Sequence, residues 1–113
     1  MVKINSMKFG EIMIDNKTYY SDMIVWWDGR VEYREKSHIF GVNELSKIAS
    51  KNIEMVVVGT GTEGILKIEE DVESVAEEMN IQVFVDTSPK AIEMFNAFQN
   101  EGKKVVAVIH ATC

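Results

Sequence analysis

The spacing of hydrophobic and polar residues changes about one third of the way along the chain. Before that point, two turns are each flanked by a pair of apolar runs: Ile12–Ile14 and Thr18–Tyr20 around Asp15-Asn16-Lys17, and Met23–Trp27 and Val31–Arg34 around Asp28-Gly29. Asp-Gly between apolar runs is a strong hairpin signal, because glycine supplies the positive φ that a two-residue turn requires. The N-terminal part is therefore predicted to form β-hairpins.

Residues alternate in character within the second arm of the second hairpin. Val31 and Tyr33 alternate with Arg30, Glu32 and Arg34. Successive side chains of a strand point to opposite faces of the sheet. The pattern predicts that the valine and the tyrosine face the core, while the three charged residues face solvent.

A helical period begins after residue 43. Three groups of apolar residues lie at helical spacing, namely Leu45, Ile48 and Ala49; Val72, Val75, Ala76 and Met79; and Ala91, Met94, Phe95 and Phe98. Asn43 is a suitable N-cap for the first helix, and Ser88 with Pro89 at the first helical position suits the third. Gly102 is a typical residue to end the third helix.

Three compact apolar runs alternate with these helices, and each is predicted to be a strand: Glu54–Val58, Ile81–Val85 and Val105–Ile109. Crossovers of this kind are right-handed and join parallel strands. The sequence therefore predicts one α/β domain over residues 1–113. Its mixed sheet has N-terminal β-hairpins followed by a β-α-β-α-β half, with helices packed on the sheet.

Parallel strands bring their carboxyl ends to one edge of the sheet, where ligands of open α/β sheets usually bind. Three segments are predicted to converge there: Gly59–Gly64, Asp86–Ser88 and His110–Cys113. The candidate ligand-binding residues are Gly59, Thr60, Gly61, Thr62, Asp86, Ser88, His110, Cys113 and His38.

The segment from Gly59 to Gly64 reads G-x-G-x-x-G and follows a predicted strand, as in dinucleotide-binding proteins. In such a site the loop opens onto a helix N-terminus that binds phosphate. Here an apolar run, Ile65–Ile68, precedes the helical period, and Glu69–Asp71 would repel phosphate. A tight turn that requires positive φ is the alternative explanation.

His110 and Cys113 could form a nucleophile pair, or they could belong to a packed chain terminus. His38 lies in a loop, where a capping role is the alternative to a ligand role. A lone histidine without a second His or Cys at ligand spacing does not indicate a metal site. We therefore predict no metal, no cofactor and no catalytic residue.

Trp26 and Trp27 are adjacent, so a regular strand would point them to opposite faces of the sheet. One is expected in the core. The other could cover a partner or oligomer surface, where aromatic residues are enriched, or could be covered by the same chain.

Composition narrows the classes of partner. The net charge is −6, with lysine and arginine scattered along the chain, which argues against a nucleic-acid partner. The single cysteine suits a reducing compartment, and no apolar stretch is long enough to span a bilayer. A cytoplasmic location without membrane contact is expected.

Several short motifs resemble those of a family of small α/β domains of unknown function. They are Val56-Val-Val-Gly59-Thr-Gly61, Ser37-His38 with Gly41-Val42, Val108-Ile-His110-Ala-Thr112-Cys113, and an early Lys8-Phe-Gly10 followed by a hairpin. That family includes the adipogenesis-associated domain protein and a mitochondrial complex I assembly factor. The resemblance implies a mixed-sheet fold and no established reaction or cofactor.

The sequence thus predicts a protein of unknown molecular function that acts as a non-enzymatic binding or assembly module, with a protein partner or a second copy of itself. The alternative is a small-molecule or nucleotide-binding protein, or a small enzyme, that uses the strand-end edge.

Overall fold

Strands outnumber helices in the computed structural model, which describes residues 1–113. The elements in chain order are β1 (Ile4–Lys8), β2 (Glu11–Ile14), β3 (Lys17–Tyr19), β4 (Met23–Trp26), β5 (Val31–Tyr33), β6 (Ile39–Phe40), α1 (Val42–Ala49), β7 (Met55–Gly59), β8 (Lys67–Ile68), α2 (Val72–Glu78), β9 (Gln82–Asp86), α3 (Ser88–Asn100) and β10 (Val105–Ile109). This arrangement confirms the predicted α/β class.

The central sheet is mixed and has the strand order β5-β4-β10-β7-β9. Strand β10 pairs in parallel with β7 and antiparallel with β4, while β7 pairs in parallel with β9. The three C-terminal strands are therefore parallel, as predicted. The N-terminal strands form a separate antiparallel sheet, β1-β2-β3, and β6 pairs with β8 in a small parallel sheet.

Strand β10 is buried along its whole length because both faces of the central sheet are covered. Val105, Ala107 and Ile109 belong to a core cluster that includes residues of α3 and of the N-terminal sheet. Val106 and Val108 belong to a second cluster that includes residues of α1 and α2. Burial on both faces explains why this strand is an unbroken apolar run.

Both hairpins form where the sequence predicts them. Asp15 and Asn16 have φ of 48° and 66°, so they form the two-residue turn between β2 and β3, and Lys17 already belongs to β3. Gly29 has a φ of 96° in the turn between β4 and β5.

The facing of β5 differs from the prediction. Tyr33 is 68% exposed, whereas Arg34 is only 5% exposed. Arg34 turns inward because its guanidinium binds the carboxylates of Asp22 and Glu44. The ion pairs with buried Asp22 and partly buried Glu44 outweigh the in–out alternation that the strand pattern predicts.

Two predicted helix caps are also wrong. Gly41 is the N-cap of α1, and the Val42 N–H donates to the Glu69 carboxylate at 3.1 Å, so Asn43 lies inside the helix. Thr87 is the N-cap of α3, and Ser88 is a buried helical residue. In both cases a contact from a distant segment replaces the local cap. No helix of the structure has the length and apolar character needed to cross a membrane.

Candidate functional site

The three predicted segments do converge at the carboxyl ends of the parallel strands. The Thr60 N–H donates to the Asp86 carbonyl at 2.9 Å, and the Thr62 N–H donates to the Thr112 carbonyl at 2.9 Å. The Ile65 N–H donates to the Cys113 carbonyl at 2.9 Å. The loops therefore satisfy one another's backbone hydrogen-bonding groups, and the chain's own backbone closes this edge of the sheet.

The two glycines of the predicted motif allow this close approach of backbone segments. A Cβ on Gly61, which has a φ of 104°, would lie 2.5 Å from the Cys113 carbonyl carbon. A Cβ on Gly59 would lie 2.7 Å from the Ser88 Oγ. These glycines make room for neighbouring segments of the same chain.

The chain after Gly64 is extended and does not enter a helix. Residues 65 and 66 lead into β8, and α2 begins only at Val72. A dinucleotide site requires the loop to open onto a helix N-terminus. The structure therefore lacks the helix N-terminus that the dinucleotide hypothesis requires at this loop, and the positive φ of Gly61 and Gly64, 104° and 73°, agrees with a tight turn.

Ser88 joins two of the converging segments through its buried hydroxyl. The Ser88 Oγ accepts a hydrogen bond from the Gly61 N–H at 2.8 Å and donates one to the His110 carbonyl at 2.7 Å. One side chain thus connects the start of α3 to the ends of β7 and β10.

Replacing Ser88 with alanine is expected to lower the free energy of unfolding by about 2 kcal/mol, because it leaves a buried donor and a buried acceptor unsatisfied. Urea denaturation measures the change. Ser74→Ala is the matched control, since the exposed Ser74 hydroxyl donates only to the Asp71 carbonyl. Equal stability of the two variants would contradict this role.

His110 is fully buried and is held on both ring nitrogens. Its Nδ1 lies 2.8 Å from the Asp22 Oδ2, and its Nε2 lies 3.3 Å from the Thr112 Oγ1. Because the Asp22 carboxylate is also paired with Arg34, it acts only as an acceptor. His110 therefore donates from Nδ1 to Asp22, and its Nε2 lies beside the Thr112 hydroxyl.

Of the two alternatives for the chain end, a His110–Cys113 pair and a packed terminus, the structure places Thr112 rather than Cys113 against the His110 ring. Cys113 is a partly buried free thiol whose carbonyl accepts the Ile65 N–H. His38 is exposed, and its ring meets the His110 ring edge to face with centroids 5.1 Å apart. The structure thus brings His38 to His110, which the sequence could not predict.

A buried ionic network extends from His110 across the molecule to α1. The Asp22 Oδ2 accepts the Arg34 Nη1–H at 2.9 Å, and the Asp22 Oδ1 accepts the Ala111 N–H at 2.9 Å. Arg34 also makes a two-pronged contact with the Glu44 carboxylate, at 2.6 Å and 3.0 Å. Such forked pairs fix geometry as well as charge.

Sequence reasoning missed Asp22, Arg34 and Glu44. For Asp22 and Arg34 a signal was present in the hairpin. The β4–β5 register pairs Met23 with Tyr33, so Asp22 and Arg34, an acid and a base, lie opposite each other at the open end of the hairpin. Opposite charges at such positions attract. Glu44 carries no comparable signal, since only the tertiary fold brings α1 to the hairpin.

Arg34 and Glu44 also line a cavity of about 880 Å³ between the β4–β5 hairpin and α1. Buried Trp26 lies in its wall, and the Arg30 guanidinium lies 5.1 Å from the Trp26 ring centroid. Trp27 is half-buried and packs against both core clusters. Of the two tryptophans, Trp26 therefore belongs to the core and to the wall of this cavity, which we call the hairpin groove.

The hairpin groove is richer in positive charge than the chain as a whole. Its lining contains the basic residues Arg30, Arg34, Lys36, Lys47 and Lys51 and the acidic residues Glu32, Glu35 and Glu44. Arg34 is paired with Asp22 and Glu44, and Arg30 is paired with Asp28, so the basic residues of the groove without an ion pair are Lys36, Lys47 and Lys51. Basic residues that are scattered along the sequence are thus gathered in space, on a chain of net charge −6.

Comparison with solved structures defines the class of this protein. Conserved hypothetical protein PH1505 from Pyrococcus horikoshii OT3 is 27% identical, with a TM-score of 0.86 over 98% of this chain and 99% of that one. Two further structures share the fold at lower identity. An outer membrane protein from Bartonella henselae is 20% identical, with a TM-score of 0.83 over 99% of this chain and 96% of that one. A Mth938-like domain from Bordetella pertussis is 14% identical, with a TM-score of 0.72 over 96% of this chain and 85% of that one.

The fold is therefore that of the small Mth938-like α/β domains. The chain belongs to the protein family of unknown function DUF498/DUF598, whose sequence profile matches residues 4–110. The coarser resemblance drawn from the sequence, to a family of small domains without an assigned function, is confirmed.

Proposed function

We propose that this protein is a binding module whose hairpin groove holds an extended, acidic segment of a partner polypeptide. The observation that carries the proposal is the gathering of three lysines without an ion pair, Lys36, Lys47 and Lys51, around one groove of an acidic protein. Complementary charge of this kind steers association and selects partners.

The shape and edges of the groove support an extended ligand. Its volume of about 880 Å³ lies within the range of ligand pockets in proteins. Strand β5 pairs only with β4, so its outer edge is unpaired and can accept main-chain hydrogen bonds from an added strand. Ile24, Trp26 and Tyr33 supply apolar contact along the lining.

The strand-end edge supports a ligand site less well. The hydrogen bonds among residues 59–66, Ser88 and the last three residues fill it with the chain's own backbone. The candidate residues there are better explained as the contacts that close this end of the sheet. A small-molecule site or an enzyme at this edge is therefore the weaker alternative.

The test is binding of a fluorescein-labelled peptide of alternating glutamate and valine, followed by fluorescence anisotropy at low ionic strength. Lys47→Glu/Lys51→Glu is expected to weaken binding by at least about tenfold, since two attractive charges become repulsive. Both lysines are exposed, so the fold should survive, and thermal melting checks that it does.

Lys3→Glu/Lys90→Glu is the matched control, because it changes the net charge equally at two exposed lysines outside the groove. It should bind the acidic peptide as the native protein does. A peptide of alternating lysine and valine should bind neither the native protein nor the control variant. Equal loss in both variants, or tight binding of the basic peptide, would reject the groove as the site.

A role in assembly follows from this proposal. The resemblance of the sequence to the group that includes the adipogenesis-associated domain protein and a complex I assembly factor supports a polypeptide partner. A single free cysteine supports a cytoplasmic location.

A further inference from the structure

Strand β9 forms one edge of the central sheet and pairs only with β7. The Gln82 N–H donates to the Glu54 carbonyl, and the Asp86 carbonyl accepts the Thr60 N–H. Alternate residues of a strand direct their backbone groups to opposite sides. Residues 82, 84 and 86 therefore face β7, and Val83 and Val85 present their N–H and C=O groups to the free edge.

This edge lacks most of the features that keep exposed strands apart, and its one charged residue, Asp86, lies at the end of the strand. The five residues of β9, Gln-Val-Phe-Val-Asp, contain no lysine and no proline, and their pairing with β7 is regular, without a bulge. Val85 is 46% exposed. Natural proteins protect free edges with charges, prolines or bulges, and a long apolar edge without them is a template for another strand.

The sequence of β9 is self-complementary about Phe84. In an antiparallel pair centred on this residue, Val83 of each copy faces Val85 of the other. These are the residues whose backbone groups point outward, so the two copies would exchange four hydrogen bonds. We propose that β9 pairs with β9 of a second copy in this register, which joins two central sheets into one.

Side chains suit the same register. The exposed Val85 would pack on Val83 of the other copy, which already contacts the core cluster beside α1 and α2. On the opposite face the two Phe84 rings would meet, each next to its own Phe98 at a centroid distance of 4.9 Å. Gln82 would face Asp86, so no like charges oppose each other, and aromatic pairs of this kind add stability.

The other edge of the sheet is a poorer choice for self-pairing. Strand β5 has three residues, with Glu32 at its centre. Two-fold pairing there would place two carboxylates opposite each other, which is destabilising. The dimer edge and the hairpin groove thus use opposite ends of the sheet, and the dimer does not depend on the proposed groove ligand.

Light scattering after size-exclusion chromatography tests the proposal. The native protein should elute with twice its chain mass of 12.8 kDa. Val85→Lys should restore the single-chain mass, because lysine places a charge at the centre of the apolar pairing. Tyr33→Lys, an exposed residue on the other edge, should remain dimeric. A native protein that stays monomeric at high concentration, or a dimer abolished by Tyr33→Lys and retained by Val85→Lys, would overturn the proposal.

Cysteine cross-linking tests the register. In a Cys113→Ser background, Phe84→Cys should form an intermolecular disulfide, because directly opposed residues of a non-hydrogen-bonded pair lie within disulfide reach. Val83→Cys should not, because its two copies are offset along the strands. Cross-linking at position 83 without cross-linking at 84 would reject this pairing.

Discussion

Replacing Arg34 with methionine is expected to lower the free energy of unfolding by about 3–5 kcal/mol, which is a large part of the stability of a small domain. The substitution preserves much of the side-chain volume but removes the charge that balances Asp22. The Asp22 carboxylate is 2% exposed and would keep only the His110 ring and the Ala111 N–H as partners. An uncompensated buried charge is among the most destabilising changes in a core.

Urea denaturation of three variants separates the charge effect from lost packing. Arg30→Met is the control, since the Arg30 side chain is 44% exposed and its ion pair with Asp28 at 3.6 Å is a surface contact. Arg30→Met should lower the free energy of unfolding by less than about 1 kcal/mol. The double variant Asp22→Asn/Arg34→Met should recover part of the loss, because asparagine carries no charge. A single Arg34→Met variant as stable as the control would show that the network contributes little.

Replacing Gly61 with alanine is expected to destabilise the protein by roughly 3 kcal/mol or more, from strain at positive φ combined with overpacking. The new Cβ would lie 2.5 Å from the carbonyl carbon and oxygen of Cys113 and 2.6 Å from the carbonyl oxygen of Thr112. These neighbours are backbone atoms, so they cannot move aside as a flexible side chain can. The Thr62 N–H bond to the Thr112 carbonyl should be lost with them.

Gly29→Ala isolates the steric part of that effect. Gly29 has a φ of 96°, close to the 104° of Gly61, but a Cβ there would meet nothing within 4 Å. The control should therefore show backbone strain alone, on the order of 1–2 kcal/mol. Equal losses of stability in the two variants would mean that the terminal segment yields to the methyl group and does not close the edge of the sheet.

Local signals explain why much of the fold was predictable. The Asp-Gly turn, the helical spacing of Leu45 and Ile48, and the apolar run of β10 each depend on residues close in sequence. Strand β1 lacked such a signal, because Asn5 and Ser6 interrupt its pattern, and its pairing with β2 is shifted by an irregularity between Ile4 and Ser6.

The site was predictable only where topology alone placed it. Convergence of the strand ends follows from the parallel order, and it holds. The hydrogen-bond partners of the side chains there cannot be predicted from the strand order. Ser88 could cap α3 or bond to Gly61, and only tertiary proximity decides between the two. The hairpin groove joins residues from β4, β5 and α1, so its charge surplus is invisible in a sequence where lysines are scattered.

The position of β10 has a consequence for the order of folding. This strand comes after every other strand in the sequence, yet it joins β4 to β7 at the centre of the sheet. Until it is synthesised, the hairpin and the β7–β9 pair have no ladder between them and expose apolar edges. Pairing between strands so far apart in sequence is slow. The nascent chain therefore cannot complete its sheet during synthesis of the first hundred or so residues, and during that interval it is most exposed to aggregation.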